Sequence, residues 1–206
     1  MRIISGTARG TNLYTLEGKE TRPTLDRVKE SLFNIIQNKI QDSIFLDLFS
    51  GSGAIGLEAA SRGAKKCILC DRSKDAIRII KKNTEKTHLE CKVKIFNKDF
   101  SSLLKNDIEK IDIVYIDPPY KSDYIFESLK IITENNILKE DGLIILETDE
   151  LDRILKQIDK LKIEVIDQRK YGRAHLIFLK ELRWIGKGLN HGNIYIIRNF
   201  RGNIRK

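Results

Sequence analysis

The chain has 206 residues, is 41% hydrophobic and 33% charged, and carries 38 Lys and Arg against 29 Asp and Glu, a formal net charge of +9. That length is most simply one domain with a substantial core, and the composition is that of a soluble globular protein. No apolar run approaches membrane-spanning length and Met1–Gly6 has no signal-peptide form, so a cytoplasmic protein is expected; the basic excess suits a polyanionic partner or a solvated basic surface.

The elements predicted in chain order alternate between strand and helix. Residues 1–16 read as a small strand or hairpin region. Val28, Leu32, Ile35, Ile36 and Ile40 share one helical face, which predicts an amphipathic helix over about 25–40. Strand one is 44–48. Helix 54–62 stops at Gly63, where a left-handed residue can close it. Strand two is 66–70, and Ser73 can cap helix 74–87. Val93 and Ile95 mark a short third strand before Asp99. Strand four is 112–116, followed by helix 123–135. Gly142 opens strand five, from Leu143 to Glu147, and helix 150–160 follows. Strands near 162–169 and 174–180 flank Tyr171-Gly172-Arg173, a hairpin turn. Repeated β-α units predict an α/β fold, a parallel sheet with helices on both faces. No repeat, low-complexity stretch or strong linker is visible.

Three motifs carry chemistry. Asp117-Pro118-Pro119-Tyr120 follows the buried strand Ile111–Ile116. Two prolines cannot continue a ladder, so the acid and the ring sit on a stiff turn at a strand's C-terminal end, where open α/β sheets bind ligands. An Asp side chain and a proline carbonyl offer only acceptors, which suits an amino group, and a Tyr ring suits stacking on a base. A strand-ending turn with a solvated Asp fits the same residues.

The second motif is the loop Ser50–Gly56 after strand Ile44–Phe49. Gly51, Gly53 and Gly56 meet the G-x-G-x-x-G spacing, which lets backbone approach a ligand at a helix start. The loop alone does not separate a nicotinamide cofactor from S-adenosylmethionine. Asp47, four residues before Gly51, would oppose a pyrophosphate and tolerate a cationic sulfonium. The third is Asp71, at the end of strand two, where an acid can accept both ribose hydroxyls.

Cys67 and Cys70 form C-x-x-C but lie on one strand. Residues three apart there point to opposite faces, so they share neither a disulfide nor a metal, and core packing in a reducing compartment is expected. His88, His175 and His191 lack metal-ligand spacing, and no metal is expected.

Asp47 to Gly56, Asp71, Asp99-Phe100 and Asp117–Tyr120 together resemble the motifs of class I S-adenosylmethionine-dependent amino-methyltransferases. The start narrows the resemblance. Arg2–Gly6, Arg9-Gly10 and Arg22-Pro23-Thr24 through Asn34, with Lys170–Arg173 near the end, resemble the bacterial family that methylates a guanine N2 in 16S ribosomal RNA. The likeness covers about residues 1–180, read as one methyltransferase domain with residues 1–40 as an N-terminal extension. It implies a class I, Rossmann-like, seven-stranded, mostly parallel sheet whose final hairpin supplies the antiparallel strand. It implies S-adenosylmethionine held by Asp47, Gly51, Gly53, Asp71, Asp99 and Phe100, with Asp99 on the adenine amino group and Phe100 near the base. A helix N-cap is the competing role for Asp99. Asp117, Pro118, Pro119 and Tyr120 become the catalytic turn, and Arg22, Tyr171 and Arg173 border the RNA. For Arg22, pairing with a local acid stays equally open. The implied partner is 16S rRNA or the small ribosomal subunit, bound by a monomer without membrane or metal.

The Asp-Pro-Pro-Tyr turn does not distinguish adenine N6, cytosine N4 and guanine N2; only the resemblance favours the last. A DNA adenine or cytosine amino-methyltransferase, a noncatalytic RNA-binding module and a nicotinamide dehydrogenase are the competing classes. Residues 181–206 extend beyond the pattern. They hold Arg183, Lys187, Arg198, Arg201, Arg205 and Lys206 against Glu181, with Trp184, Tyr195 and Phe200 interspersed. Such a segment can hold single-stranded RNA, pack on the domain, or do neither.

Overall fold

The computed structural model describes residues 1–16, 23–106, 108–119 and 123–182. Among them seven strands form a single sheet in the order β3-β2-β1-β4-β5-β7-β6. The strands are β1 (Ile44–Asp47), β2 (Lys66–Asp71), β3 (Val93–Asn97), β4 (Ile111–Ile116), β5 (Leu138–Thr148), β6 (Ile163–Tyr171) and β7 (Ala174–Glu181). β3 through β5 pair in parallel, and β7 pairs antiparallel with both β5 and β6. The fold is the class I, Rossmann-like α/β arrangement.

The alternation of each strand assigns its two faces. Phe45, Ile113, Ile145 and Phe178 face one core, closed by α1 (Pro23–Ile35), α3 (Ala54–Ser61) and α4 (Lys74–Thr87). Leu46, Val114, Ile144 and Ile177 face the other, closed by α5 (Phe100–Lys105), α6 (Tyr124–Glu134) and α7 (Leu151–Ile158). Both faces are buried, which is why the central strands read as continuous apolar runs. Cys67 and Cys70 fall into opposite cores, as their spacing requires.

Two elements differ from the sequence expectation. The helix expected over 25–40 breaks. Ile36 leaves helical geometry (φ −98°, ψ 9°), and a separate turn of helix, α2, spans Gln37–Ile40. Lys39 N–H donates to the Ile36 carbonyl at 2.8 Å, a tight i+3 bond, and the break lets both Ile36 and Ile40 bury. Strand five begins at Leu138 rather than at Gly142. Leu138 pairs with Ile111 and Leu143 with Ile113, so exposed Lys139, Glu140 and Asp141 bulge out between the pairs. That charged triplet hid the first paired residue.

The N-terminal segment closes on itself through an antiparallel bridge between Arg2 and Asn12. It lies so tightly on α3 that a Cβ at Gly6 (φ 87°) would stand 1.9 Å from the Ser61 carbonyl oxygen. Thr7 N–H donates to that same oxygen at 2.9 Å.

Candidate active site

The C-terminal ends of β1, β2, β3 and β4 open onto a cleft of about 270 Å³. Its lining brings together Gly51, Asp71, Asp99, Phe100, Asp117 and Pro119, drawn from four separate loops. Sheet order explains the convergence. β1 and β4 are neighbours from which the chain winds in opposite directions, and that reversal leaves a crevice.

The glycine loop is held from both ends. Gly51 and Gly53 take left-handed backbone angles (φ 55° and 79°). Asp71 fixes the first: its Oδ2 accepts from Gly51 N–H at 2.9 Å, while Oδ1 accepts from Ser73 N–H at 2.8 Å. A carboxylate has about four acceptor sites. These two bonds therefore leave Asp71 capacity for hydroxyls, with its orientation set by the loop. The second fixing point is Asp47, whose Oδ2 accepts from Gly56 N–H at 3.0 Å. Asp47 is only 1% exposed and lies beneath the loop rather than in the cleft lining. Burial pushes its carboxyl up to about 7, the Gly56 N–H working against that rise and the Asp71 charge adding to it. The position assigned to a ligand contact thus shapes the loop from below. Gly56 serves packing, since a Cβ there would meet Leu69 Cδ1 at 2.6 Å.

Asp99 is the N-cap of α5, its Oδ1 accepting from Ser101 N–H at 2.9 Å and from Ser101 Oγ at 2.7 Å. It also lines the cleft. The capping role and a place in the site coexist at one residue. Phe100 is buried behind it.

Sequence reasoning named Phe100 but missed several groups around it. Phe49 and Tyr124 join Phe100 in an aromatic wall, with Phe49 and Tyr124 stacked at 6.1 Å and 9° and Phe100 5.2 Å from each. Arg72 covers the Tyr124 ring at 5.7 Å and donates to its hydroxyl at 3.1 Å. Buried Asn83, from the middle of α4, donates to the Ser52 carbonyl at 2.8 Å and exchanges both backbone bonds with Tyr14. It ties the glycine loop to the N-terminal segment, whose Leu16 reaches the cleft. Nothing in the local sequence announces these partners; they are made by the fold.

Asp117 follows the last paired residue of β4 and is exposed, as is Pro119. Pro118 sits between them, and Tyr120 lies outside the described residues. Thr148 pairs with His175, so the β6–β7 turn lies at the same edge of the sheet as Asp117. Tyr171 packs partly against the first core there, and Arg173 is exposed on the turn, where Gly172 takes φ 62°. Arg22 lies outside the described residues, as do residues 183–206. Among the described residues no helix is long and apolar enough to cross a membrane.

The family model described as conserved hypothetical protein 95 matches residues 1–180. A Haemophilus influenzae protein named ribosomal RNA small subunit methyltransferase D is 38% identical over 154 residues, 72% of this chain and 79% of that one. The Escherichia coli protein of the same name is 34% identical over 149 residues, 72% of this chain and 75% of that one. A solved Escherichia coli structure, provisionally described as a methyltransferase, superposes with a TM-score of 0.75 at 26% identity, covering 89% of this chain and 99% of that one.

Proposed function

The chain belongs to the conserved hypothetical protein 95 family, alongside the ribosomal RNA small subunit methyltransferase D proteins, and on that premise we propose that it is an S-adenosylmethionine-dependent rRNA methyltransferase. Its target is the exocyclic N2 of a guanine in 16S ribosomal RNA, on an assembled or assembling small subunit. The enzyme acts as a cytoplasmic monomer.

The observation that carries this reading is the position of Asp117 on the rim of the cleft that also holds Gly51, Asp71, Asp99 and Phe100. The residues present fit the cofactor. Asp71 offers oriented acceptors for two ribose hydroxyls, Asp99 an acceptor for an adenine amino group, and Phe100 with Phe49 an apolar wall for the base. Gly51 lets the backbone approach without a side chain in the way. The bound cofactor supplies an electrophilic methyl on a sulfonium.

The rest falls to this chain's own groups. An exocyclic amine is a poor nucleophile because its lone pair is delocalised into the ring. The Asp117 carboxylate and the Pro118 carbonyl accept its two N–H bonds and turn the lone pair out of the ring plane, toward the cleft. Tyr120 stacks on a base that has left its own stack. S-adenosylmethionine, held by Asp71, Asp99 and Phe100, would supply the methyl group that the amine nitrogen takes up. The nitrogen then sheds one proton to Asp117 or water. Positioning and electrostatics supply most of the acceleration. Tyr171 and Arg173 border the RNA, and Arg22 and the basic residues beyond 182 add contacts to phosphates.

The test is incubation with labelled S-adenosylmethionine and three substrates: naked rRNA, small subunits lacking the mark, and duplex DNA. Label on a guanine N2 of rRNA is expected. Label in DNA alone would reverse the reading toward an adenine or cytosine amino-methyltransferase. Absence of label from every substrate would leave a noncatalytic RNA-binding module.

A further inference from the structure

Asp117 has an acidic neighbour across the sheet. β4 and β5 run parallel with Ile116 paired to Leu146, and the next residue on each chain is an acid, Asp117 and Glu147. The cleft lies on the β1, β2 and β3 side of Asp117, whereas β5 is the strand on the other side of β4. Glu147 therefore lies beside Asp117 on β5, on the side of β4 away from the cleft. The β6–β7 turn with Tyr171 and Arg173 lies further along the same edge.

Glu147 is also held in place. The Tyr115 hydroxyl, from the neighbouring strand and only 3% exposed, donates to Glu147 Oε2 at 2.5 Å. Burial first, then the charges of Glu147 and Asp117, hold the Tyr115 phenol well above its usual range, so it stays a donor. That bond uses one of the carboxylate's about four acceptor sites, and the side chain keeps partial exposure. Neither Glu147 nor Tyr115 has a part in making the amine nucleophilic in the reading above.

The bases differ beside their amine. Guanine presents N1–H next to its N2 amine, two adjacent donors. Adenine presents the bare N1 lone pair next to N6, and cytosine the bare N3 next to N4. One acceptor such as Asp117 cannot tell these edges apart, whereas two acceptors side by side can. We propose that Glu147, oriented by Tyr115, is a specificity-determining residue that accepts the N1–H of the target guanine while Asp117 accepts from its N2 amine. This rests on the guanine-N2 reading above. A base with a lone pair at that position sets it against a carboxylate and is rejected by repulsion as well as by a lost bond.

The experiment compares wild type, Glu147→Gln and Tyr115→Phe on small-subunit particles carrying either guanine or 2-aminopurine at the methylated nucleotide. 2-Aminopurine keeps the N2 amine but has a lone pair at N1. Wild type is expected to favour guanine in kcat/KM by about tenfold or more. Glu147→Gln, whose amide can donate to that lone pair, should slow guanine by a similar factor and erase most of the preference. Tyr115→Phe should narrow the preference by less. All three should bind S-adenosylmethionine alike by calorimetry, which checks the fold, and Tyr115→Phe decides the matter if Glu147→Gln does not fold. Methyl on guanine N2 with an unchanged preference in the variants overturns this inference alone. Methyl on another atom or another base overturns the guanine-N2 reading, and the inference with it.

Discussion

The ammonium of Lys29 lies 3.1 Å from the carboxylate of Glu58, with 2% and 0% of the two side chains exposed. Around that pair the N-terminal segment is assembled. Glu58 Oε2 accepts from Ile4 N–H at 2.8 Å and Oε1 from Ser5 N–H at 3.0 Å, while Arg62 Nε donates to Oε1 at 2.7 Å. Lys29 Nζ also donates to the Arg2 carbonyl at 2.5 Å. Burial lowers the Lys29 pKa and Glu58 opposes that drop. One carboxylate thus joins α1, α3 and residues 2–5 just behind the glycine loop.

Removing Glu58 should therefore cost more than removing Lys29. Glu58→Ala leaves a buried ammonium without its counter-charge and two backbone N–H groups without an acceptor. A loss of about 3–5 kcal/mol is expected from such a broken buried pair. Lys29→Met fills a similar volume and leaves Glu58 its Arg62 partner and both N–H donors, so a smaller loss is expected. Urea unfolding of the two variants checks the order; equal losses would mean that the ion pair itself, rather than the acceptor, holds the segment.

For the cofactor, Asp71→Asn is the informative change. The amide keeps one acceptor but turns an N–H toward either Gly51 N–H or Ser73 N–H, so the loop loses a tether as the ribose loses an acceptor. Hydrogen bonds to charged groups are worth roughly 1.5–3 kcal/mol. S-adenosylmethionine affinity should fall by about tenfold to a hundredfold in calorimetry. An unaltered affinity would remove Asp71 from the cofactor site.

How far these positions could be read beforehand follows from what each depends on. Gly51, Gly53 and Asp71 were legible because strand, glycine loop and the next strand's end are fixed by local spacing. The buried runs of β1, β2 and β4 were legible for the same reason. Asn83 was not, because a single Asn in mid-helix gives no sign that its amide will clamp Ser52 and Tyr14. The Phe49–Tyr124 stack joins residues 75 positions apart, and only the sheet order brings them together. Asp47 was read as a cofactor contact and not as the loop's buried support, since burial depends on what packs over it. The break at Ile36 and the early start of β5 at Leu138 were hidden because each obeys the core rather than its own periodicity.

Asp117→Ala should abolish methyl transfer while leaving cofactor affinity within a few-fold. Asp117 is exposed and lies on the rim of the cleft, so its loss opens no cavity. Single-turnover transfer with saturating S-adenosylmethionine separates the two effects. Transfer at the wild-type rate would take the carboxylate out of the mechanism.

Asp47 gives a pH signature. Burial pushes its carboxyl up to about 7 in the fold, from the ordinary carboxylate value of about 4. Between those values the folded chain holds a proton that the unfolded chain has released. Stability from this group is therefore complete below about pH 4 and is lost as pH rises to about 7, after which it levels off. Three pKa units correspond to ~4 kcal/mol for a fully buried group. Asp47→Asn keeps a carbonyl oxygen for Gly56 N–H and cannot ionise, so its stability should be flatter across that window. The difference between wild type and variant, measured by urea unfolding at pH 4, 5.5 and 7, should move in favour of the variant as pH rises. Parallel curves would mean that Asp47 is ionised in the fold throughout, with solvent or a cation reaching it beneath the loop.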